Sequence, residues 1–393
     1  MTLSLDTLDF LASAVGERYL AELVTQDLSE AQTLTVLTQL RRDLMPEQAA
    51  AVLTLARLRQ KAVAKFGDDA RHLYFTADAL EQASDPLVRE YRAQQIGGGQ
   101  VLDVCCGIGS DSLALAQQGA TVSGIDSDPL RIALARLNAA ALGLAVDFRV
   151  KDAYEVVAEA ADVVFFDPGR RDGQGRRIYD VERYQPPLSL VRRWDTPRIV
   201  VKLSPGVDVA QLRDYGGGLE FISVAGELKE AVLWLGGDQQ GHRATRLSSA
   251  GSISLRRTGP EPDVPLTEPR AYLSEPDPAV LRAGLVRDLA AEIDAAMLDP
   301  EIAYLTSDHV PASAWLRTWR VIDWLPYQLK RLRATLRERG IGRVTVKKRG
   351  SPLMPEQLIP ALRLKGDAAC TLILTQHMGR PIVMICDEAP VAE

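Results

Sequence analysis

Between Val101 and Leu235 the chain alternates short apolar runs with helical segments, and a carboxylate closes each of the first four runs. The runs read as strands at 101–104, 121–125, 147–150, 163–167, 198–203, 219–225 and 231–235. Strands separated by helices predict a largely parallel sheet with helices on both faces, an α/β fold. Ligands of such sheets bind beyond the carboxyl ends of the strands. Asp103, Asp126, Asp152 and Asp167 stand at four such ends. Between the second and third strands, Asp128 is a helix N-cap, Pro129 sits in the first turn and Gly143 ends the helix. The last two strands follow each other across residues 226–230 without a helix, which predicts an antiparallel pair at the sheet edge.

The first strand–helix junction reads VLDVCCGIGSDSLALA, residues 101–116. Small residues let backbone approach a ligand closely, and the free N–H groups of a new helix can meet a polar group. A dinucleotide fingerprint needs G-x-G-x-x-G. Here Gly107 and Gly109 are followed by Ser112 at the third position, so that match is incomplete. S-adenosylmethionine has no pyrophosphate and carries an ammonium, a ribose and an adenine. Asp103 suits the ammonium, directly or through water. Asp126 suits the ribose hydroxyls, and Asp152 the adenine amino group. Cys105, Ser127 and Ala153 adjoin these positions. Cys105 and Cys106 read as small fillers beside the cofactor rather than nucleophiles. Each carboxylate has an ordinary alternative as a cap or a loop residue. Their common register is what points to one cofactor.

Residues 1–95 read as helical, with Leu34, Leu37, Leu40 and Leu44 as one stripe and a second helix opening at Met45-Pro46-Glu47. Residues 238–270, rich in Ser, Gly, Pro and Thr, read as a connecting segment with one strand at 252–256. A helix at 278–297, a basic helix at 327–339, a strand at 342–348, a helix at 356–364 and two strands about Met378-Gly379 make a small α+β unit. Trp315, Trp319 and Trp324 have spacings that fit a helix or its end. The expected domains are 1–95, 96–240, a connector at 241–270, and 271–393.

No apolar run reaches the roughly 18 residues of a membrane span, and the N-terminus lacks a basic segment before an apolar one. The four cysteines show no C-x-x-C spacing and the four histidines no cluster, so reduced thiols, a cytoplasmic protein and no metal are expected. The net charge of −6 excludes a uniformly basic surface. Two stretches are nevertheless basic. Residues 317–349 hold eleven Lys or Arg against two acids, and residues 169–193 hold seven against three. Such patches fit selective binding of a polyanion; a solvated helix face is the plainer reading.

On Asp103-Val-Cys-Cys-Gly-Ile-Gly, Gly124-Ile-Asp126, Lys151-Asp152-Ala153 and the Asp167-Pro168 strand end, the chain resembles the class I S-adenosylmethionine-dependent methyltransferases. ARLRQKAVAKFGDDARHLYFTADALEQAS, FFDPGRR, LSEPDPAVLRAGL and VTVKKRGSPLMPEQL resemble, more narrowly, bacterial members with a C-terminal THUMP-like domain. The resemblance implies a Rossmann-like seven-stranded methyltransferase sheet, an N-terminal helical region and a small C-terminal α+β domain. It also implies methyl transfer to structured RNA, tRNA among the candidates.

Amino-methylating enzymes resemble one another in an Asp or Asn, a Pro, a Pro or small residue and then an aromatic at the fourth strand end. Here Asp167 and Pro168 keep the first half, and Gly169-Arg170 replaces the second. Asp167, Pro168 and Arg170 are the expected catalytic residues, with Asp167 also beside the cofactor. Arg170 and Arg171 are candidates for phosphate contact or base stacking, with pairing to Asp172 or Asp180 as the alternative. Tyr179 and Tyr184 share that loop as candidates for stacking or for packing. Lys202 faces the same crevice, to orient substrate or to pair with Glu227 or Glu230. Arg171, Lys330, Arg331, Lys347, Lys348 and Arg349 are the expected RNA contacts. Uracil carbon methylation needs a cysteine nucleophile that these positions do not offer, so nitrogen is the expected acceptor. A small-molecule or protein methyltransferase, and a non-catalytic RNA-binding protein retaining the pocket, stay open.

Overall fold

Six helices precede the first strand, most beginning where the sequence supplies a cap. They are α1 (Leu5–Ala12), α2 (Ala14–Leu23), α3 (Thr33–Leu40), α4 (Pro46–Phe66), α5 (Ala77–Gln82) and α6 (Pro86–Ile96). The side chains of Ser4, Ser13, Thr76 and Asp85 each accept a first-turn N–H. The expected leucine stripe is only half realised. Leu40 and Leu44 are buried but Leu34 is 79% exposed, because α3 turns Val36 inward instead and ends at Leu40. This computed structural model describes residues 3–156 and 161–388. Its contacts divide the chain into two units, residues 1–219 with 229–240 and residues 220–228 with 241–393.

In the first unit β1 (Gly99–Val104), α7 (Ser110–Gln117), β2 (Ala120–Asp126), α8 (Pro129–Ala141), β3 (Val146–Val150), β4 (Val163–Phe166) and β5 (Arg198–Leu203) follow in turn. The strands lie parallel in the order β3-β2-β1-β4-β5. β6 (Gly218–Val224), which from Glu220 on belongs to the second unit, is followed by β7 (Glu227–Leu235), which runs antiparallel along β5 with Ile199 opposite Leu235. β7 begins four residues before the run at 231–235. Ala225 and Gly226 both take positive φ and close a two-residue turn, so pairing starts at once. The parallel strand order, with β7 reversed at β5, is that of a Rossmann-like methyltransferase sheet. The N-terminal helices are not a separate body: Ile108 and Leu134 belong to the same buried cluster as Leu8, Leu20, Val52 and Phe75.

The second unit holds β8 (Gly241–Ser248), β9 (Gly251–Arg256), β10 (Tyr272–Pro276), α9 (Pro278–Ala283), α10 (Val286–Glu292), β11 (Ala296–Asp299), β12 (Ile302–Ser307), β13 (Leu316–Pro326), α11 (Leu329–Glu338), β14 (Ile341–Lys348), α12 (Pro355–Leu362), β15 (Ala368–His377) and β16 (Arg380–Glu388). Three expectations need correction. The connecting segment carries a hairpin of two strands, β8 and β9, rather than one. The single helix at 278–297 is two short helices and a strand, because Gly284 adopts left-handed φ and stops α9. The tryptophans lie on or beside a strand: Trp319 and Trp324 are in β13 and Trp315 just precedes it. A bulge between Val321 and Asp323 inserts one residue, so Trp319 and Trp324, five apart, pack on the same cluster.

A seven-stranded sheet, β11-β12-β10-β13-β16-β15-β14, has apolar side chains on both faces. Leu372, Leu374, Val383 and Ile385 pack with Leu332, Leu336, Leu358 and Leu362 of the two helices. The alternate residues Ile373, Ile382, Met384 and Cys386 pack with Trp319 and Tyr304. Among the described residues no helix is long and apolar enough to cross a membrane.

Candidate active site

The turn after β1 is held by β2. Cys106 N–H donates to the Ile125 carbonyl (2.9 Å), and Gly107 N–H donates to Asp126 Oδ2 (3.0 Å). Asp126 Oδ1 accepts the Asp128 N–H (2.9 Å), so one buried carboxylate organises two successive turns. The turn's glycines do different work. A Cβ on Gly109 would stand 2.8 Å from Phe148 Cζ, and one on Gly124 2.5 Å from Phe148 Cδ1. Both give room to the Phe148 ring. Gly107, at φ +57°, has nothing within 4 Å of such a Cβ and leaves its face of the turn open. Buried Asn138 of α8 accepts from Tyr74 N–H (2.7 Å) and donates to the carbonyls of Tyr74 (3.2 Å) and Ile108 (3.1 Å). The turn is thereby tied to the N-terminal segment.

Asp103 is wholly buried. Its Oδ2 accepts from the Ser112 hydroxyl, while Oδ1 has no partner. Burial pushes its carboxyl up to about 8; the Ser112 bond and Lys202 oppose this, and Asp111 and Asp167 reinforce it. Asp152 and Ser127 are exposed, and Ala153 is buried. Asp152 caps a short turn through the Tyr154 N–H (2.9 Å), and Lys151 N–H donates to the Asp126 carbonyl (3.0 Å), which brings the β3 loop beside Asp126. Burial raises the thiols of Cys105 and Cys106, so both are neutral.

Asp167 is joined to a buried chain of charges. Lys202 Nζ lies 2.6 Å from Asp167 Oδ2 and 3.7 Å from Asp111 Oδ2. Arg92 of α6 pairs with both Asp111 and Glu230. Lys202 therefore pairs with Asp167 and Asp111, and Glu230 is taken by Arg92 rather than by Lys202. Burial opposes the charge on Asp111, yet Arg92 and Lys202 hold its carboxyl down at about 2. Burial likewise opposes charge on Lys202, and Asp167 and Asp111 outweigh it. Two cations face three carboxylates, and Asp167, its side chain 23% exposed, is the member that reaches solvent. The sequence hid Arg92, Asp111 and Asn138. Charged or amide residues inside apolar helix faces were their only signal.

After Pro168 the chain makes a two-stranded ribbon. Gly169 and Gln185 exchange both backbone hydrogen bonds (2.8 and 2.9 Å), and Ile178 N–H donates to the Arg170 carbonyl (2.8 Å). Arg170 lies 3.6 Å from Asp167 Oδ1, and Arg171 pairs with Glu81 (2.7 Å); the pairs recorded for them are thus with other acids than Asp172 or Asp180, the alternative partners. Tyr184 is buried, whereas Tyr179 is 56% exposed.

In the second unit the basic candidates separate. Lys330, Arg331 and Lys348 are exposed. Lys347 and Arg349 both pair with Glu275 (3.2 and 3.1 Å) and stack on Trp319 and Tyr304. Among the described residues no group of three His, Cys, Asp or Glu could hold a metal.

Three family profiles match: a methyltransferase domain over residues 101–167, a THUMP domain-like family over 316–388, and a domain of unknown function over 4–62. A solved structure from Porphyromonas gingivalis W83 shares the fold, with a TM-score of 0.79 and 22% identity over 99% of this chain and 100% of that one. A ubiquinone biosynthesis O-methyltransferase of Xylella fastidiosa is 40% identical over 79 residues, 20% of this chain and 32% of its own. An uncharacterized S-adenosylmethionine-dependent methyltransferase of Mycobacterium tuberculosis is 35% identical over 342 residues, 84% of this chain and 93% of its own. The chain therefore belongs to the S-adenosylmethionine-dependent methyltransferases, and S-adenosylmethionine is its cofactor.

Proposed function

We propose that the protein methylates a base of a structured RNA, at nitrogen. The observation that carries the reading is Asp167, a part-exposed carboxylate at the end of β4, fixed from beneath by buried Lys202. S-adenosylmethionine supplies an electrophilic methyl group on its sulfonium. Asp103, whose Oδ1 has no partner, would meet its ammonium, and that cation would draw the proton off the buried carboxyl; the open face of Gly107 leaves room for the cofactor, and Asp126, Ser127, Asp152 and Ala153 would line the nucleoside. Asp167 accepts a hydrogen bond from the N–H of the acceptor amine and orients its lone pair, a positioning task that geometry alone can perform. Arg170 stands beside Asp167 to meet an anionic or planar group of the substrate. Half-buried Cys105 and buried Cys106, both with raised thiols, supply no thiolate, which speaks against carbon methylation of uracil.

The THUMP-like match and the exposed cations of α11 and β14 support RNA as the substrate. Arg343 and Lys348 lie exposed on β14, an edge strand of its sheet, beside Lys330, Arg331 and Arg337. The test is nucleoside mass spectrometry of RNA from a deletion strain and its parent. One methylated base should be missing and should return with the intact gene but not with Asp167→Ala. An unchanged nucleoside profile sinks the reading.

A further inference from the structure

We propose that Tyr179 supplies the aromatic face on which the acceptor ring stacks, in place of the aromatic missing after Asp167-Pro168. This rests on the reading of Asp167 as the acceptor-side carboxylate. At the strand end the place of that aromatic is held by Arg170, whose guanidinium lies 3.6 Å from Asp167 Oδ1. Gly169 is locked by two backbone hydrogen bonds to Gln185, and a Cβ there would stand 3.2 Å from the Gln185 carbonyl oxygen. The chain instead runs out along the ribbon and returns. Pairing of Ile178 with Arg170 sets the returning strand alongside the outgoing one, and Tyr179 follows directly.

The backbone around Tyr179 is pinned, because Gln211 donates to the Tyr179 carbonyl (3.4 Å) and accepts from the Val181 N–H (2.9 Å). The ring lies over the loop that leaves β5: a Cβ on Gly206 would stand 3.6 Å from it. That loop begins just after Lys202, the residue that holds Asp167. Tyr184, the other aromatic of the ribbon, is buried. A large ring more than half exposed, on anchored backbone in a ribbon that also carries Arg170, Arg171, Arg176 and Arg177, has the form of a stacking platform on a basic loop. The class of acceptor it selects is a planar heterocycle on a polyanion.

The test uses the full-length protein, S-adenosylmethionine with a labelled methyl group, and total RNA from the deletion strain. Stacking on one base sets an expected loss of roughly ten- to a hundredfold in transfer for Tyr179→Ala. Tyr179→Phe should retain transfer and Tyr179→Leu should not. Cofactor affinity by calorimetry and the melting temperature should be unchanged in all three, which separates stacking from a structural role. Ultraviolet cross-linking of wild-type protein to that RNA should map to Tyr179. Transfer that survives Tyr179→Ala overturns this inference alone. A wild-type protein that methylates no RNA overturns the substrate reading and this one with it.

Discussion

Asp103 and Gly124 show how much a single position can demand. A carboxyl that titrates near 8 in the native protein and near 3.9 in the unfolded chain holds a proton across the interval that the unfolded chain has released. Stability from this group is therefore complete below about pH 4 and declines as pH rises, by about 1.4 kcal/mol per unit until about pH 8. Asp111, held near 2, titrates below that window and does not disturb it. Asp103→Asn should flatten the wild-type decline between pH 5 and 8, read from urea midpoints at several pH values. Parallel curves would show that Asp103 does not carry the proton. Gly124 poses a steric question instead. Its φ is ordinary, and the ring of Phe148 fills the space a side chain would need. Gly124→Ala should cost about 1–3 kcal/mol by overpacking, and Phe148→Leu should recover most of it in the double variant. Additive losses would mean that the clash is relieved elsewhere.

Among the elements, strands were more legible than their neighbours. β1 to β5 lie within a residue or two of the expected runs; β4, buried throughout, is wholly apolar as a strand covered on both faces must be, whereas the edge strand β3 buries only Phe148. The strand-end carboxylates followed, since the parallel order places them along one edge. What composition concealed was set by tertiary context. β8 is polar enough to pass for a linker, and β13 carries tryptophans at spacings that a bulge alone reconciles with one face. The partners of Lys202 were equally hidden, since Asp167 is 35 residues away and Asp111 belongs to α7. That chain of charges joins α6, α7, β5, β7 and the β4 end, and it suggests a clear experiment. Lys202→Met leaves Asp167 without its fixed donor and removes a cation from buried Asp111. Breaking a buried pair costs about 3–5 kcal/mol, within the margin of a typical fold. The variant should stay folded in the cold and keep its cofactor affinity by calorimetry. Its methyl transfer to deletion-strain RNA should fall by about a hundredfold, the order lost when a positioning group is displaced by about 1 Å. Full transfer would assign Lys202 to stability alone.

At the scale of the whole molecule, an acidic chain can bind RNA, as proposed, only if it sorts its cations into those that face solvent and those already spent. Charge counting along 317–349 treats all eleven alike; the fold does not. Glu275, far upstream in sequence, takes Lys347 and Arg349, while Asp323 takes Arg339 and Asp387 takes Arg320. Lys330, Arg331 and Arg337 of α11 stay exposed, on a helix whose buried side is Leu332 and Leu336. Two sets of variants should then part. Changing Lys330, Arg331 and Arg337 to Glu should weaken binding of deletion-strain RNA and flatten its salt dependence, the log–log slope falling by about one for each phosphate no longer neutralised. The melting temperature should hold, since no packed group is removed. Changing Lys347 and Arg349 to Met should do the reverse. Glu275 would lose both partners and the rings of Trp319 and Tyr304 their cations, so the melting temperature should drop while the salt slope moves little. A filter-binding series from low to physiological salt, beside calorimetric melting, reads both. If the Met pair flattens the slope as strongly as the Glu triple, Lys347 and Arg349 leave Glu275 for the phosphate backbone, and the ion pairs are a resting arrangement that RNA displaces.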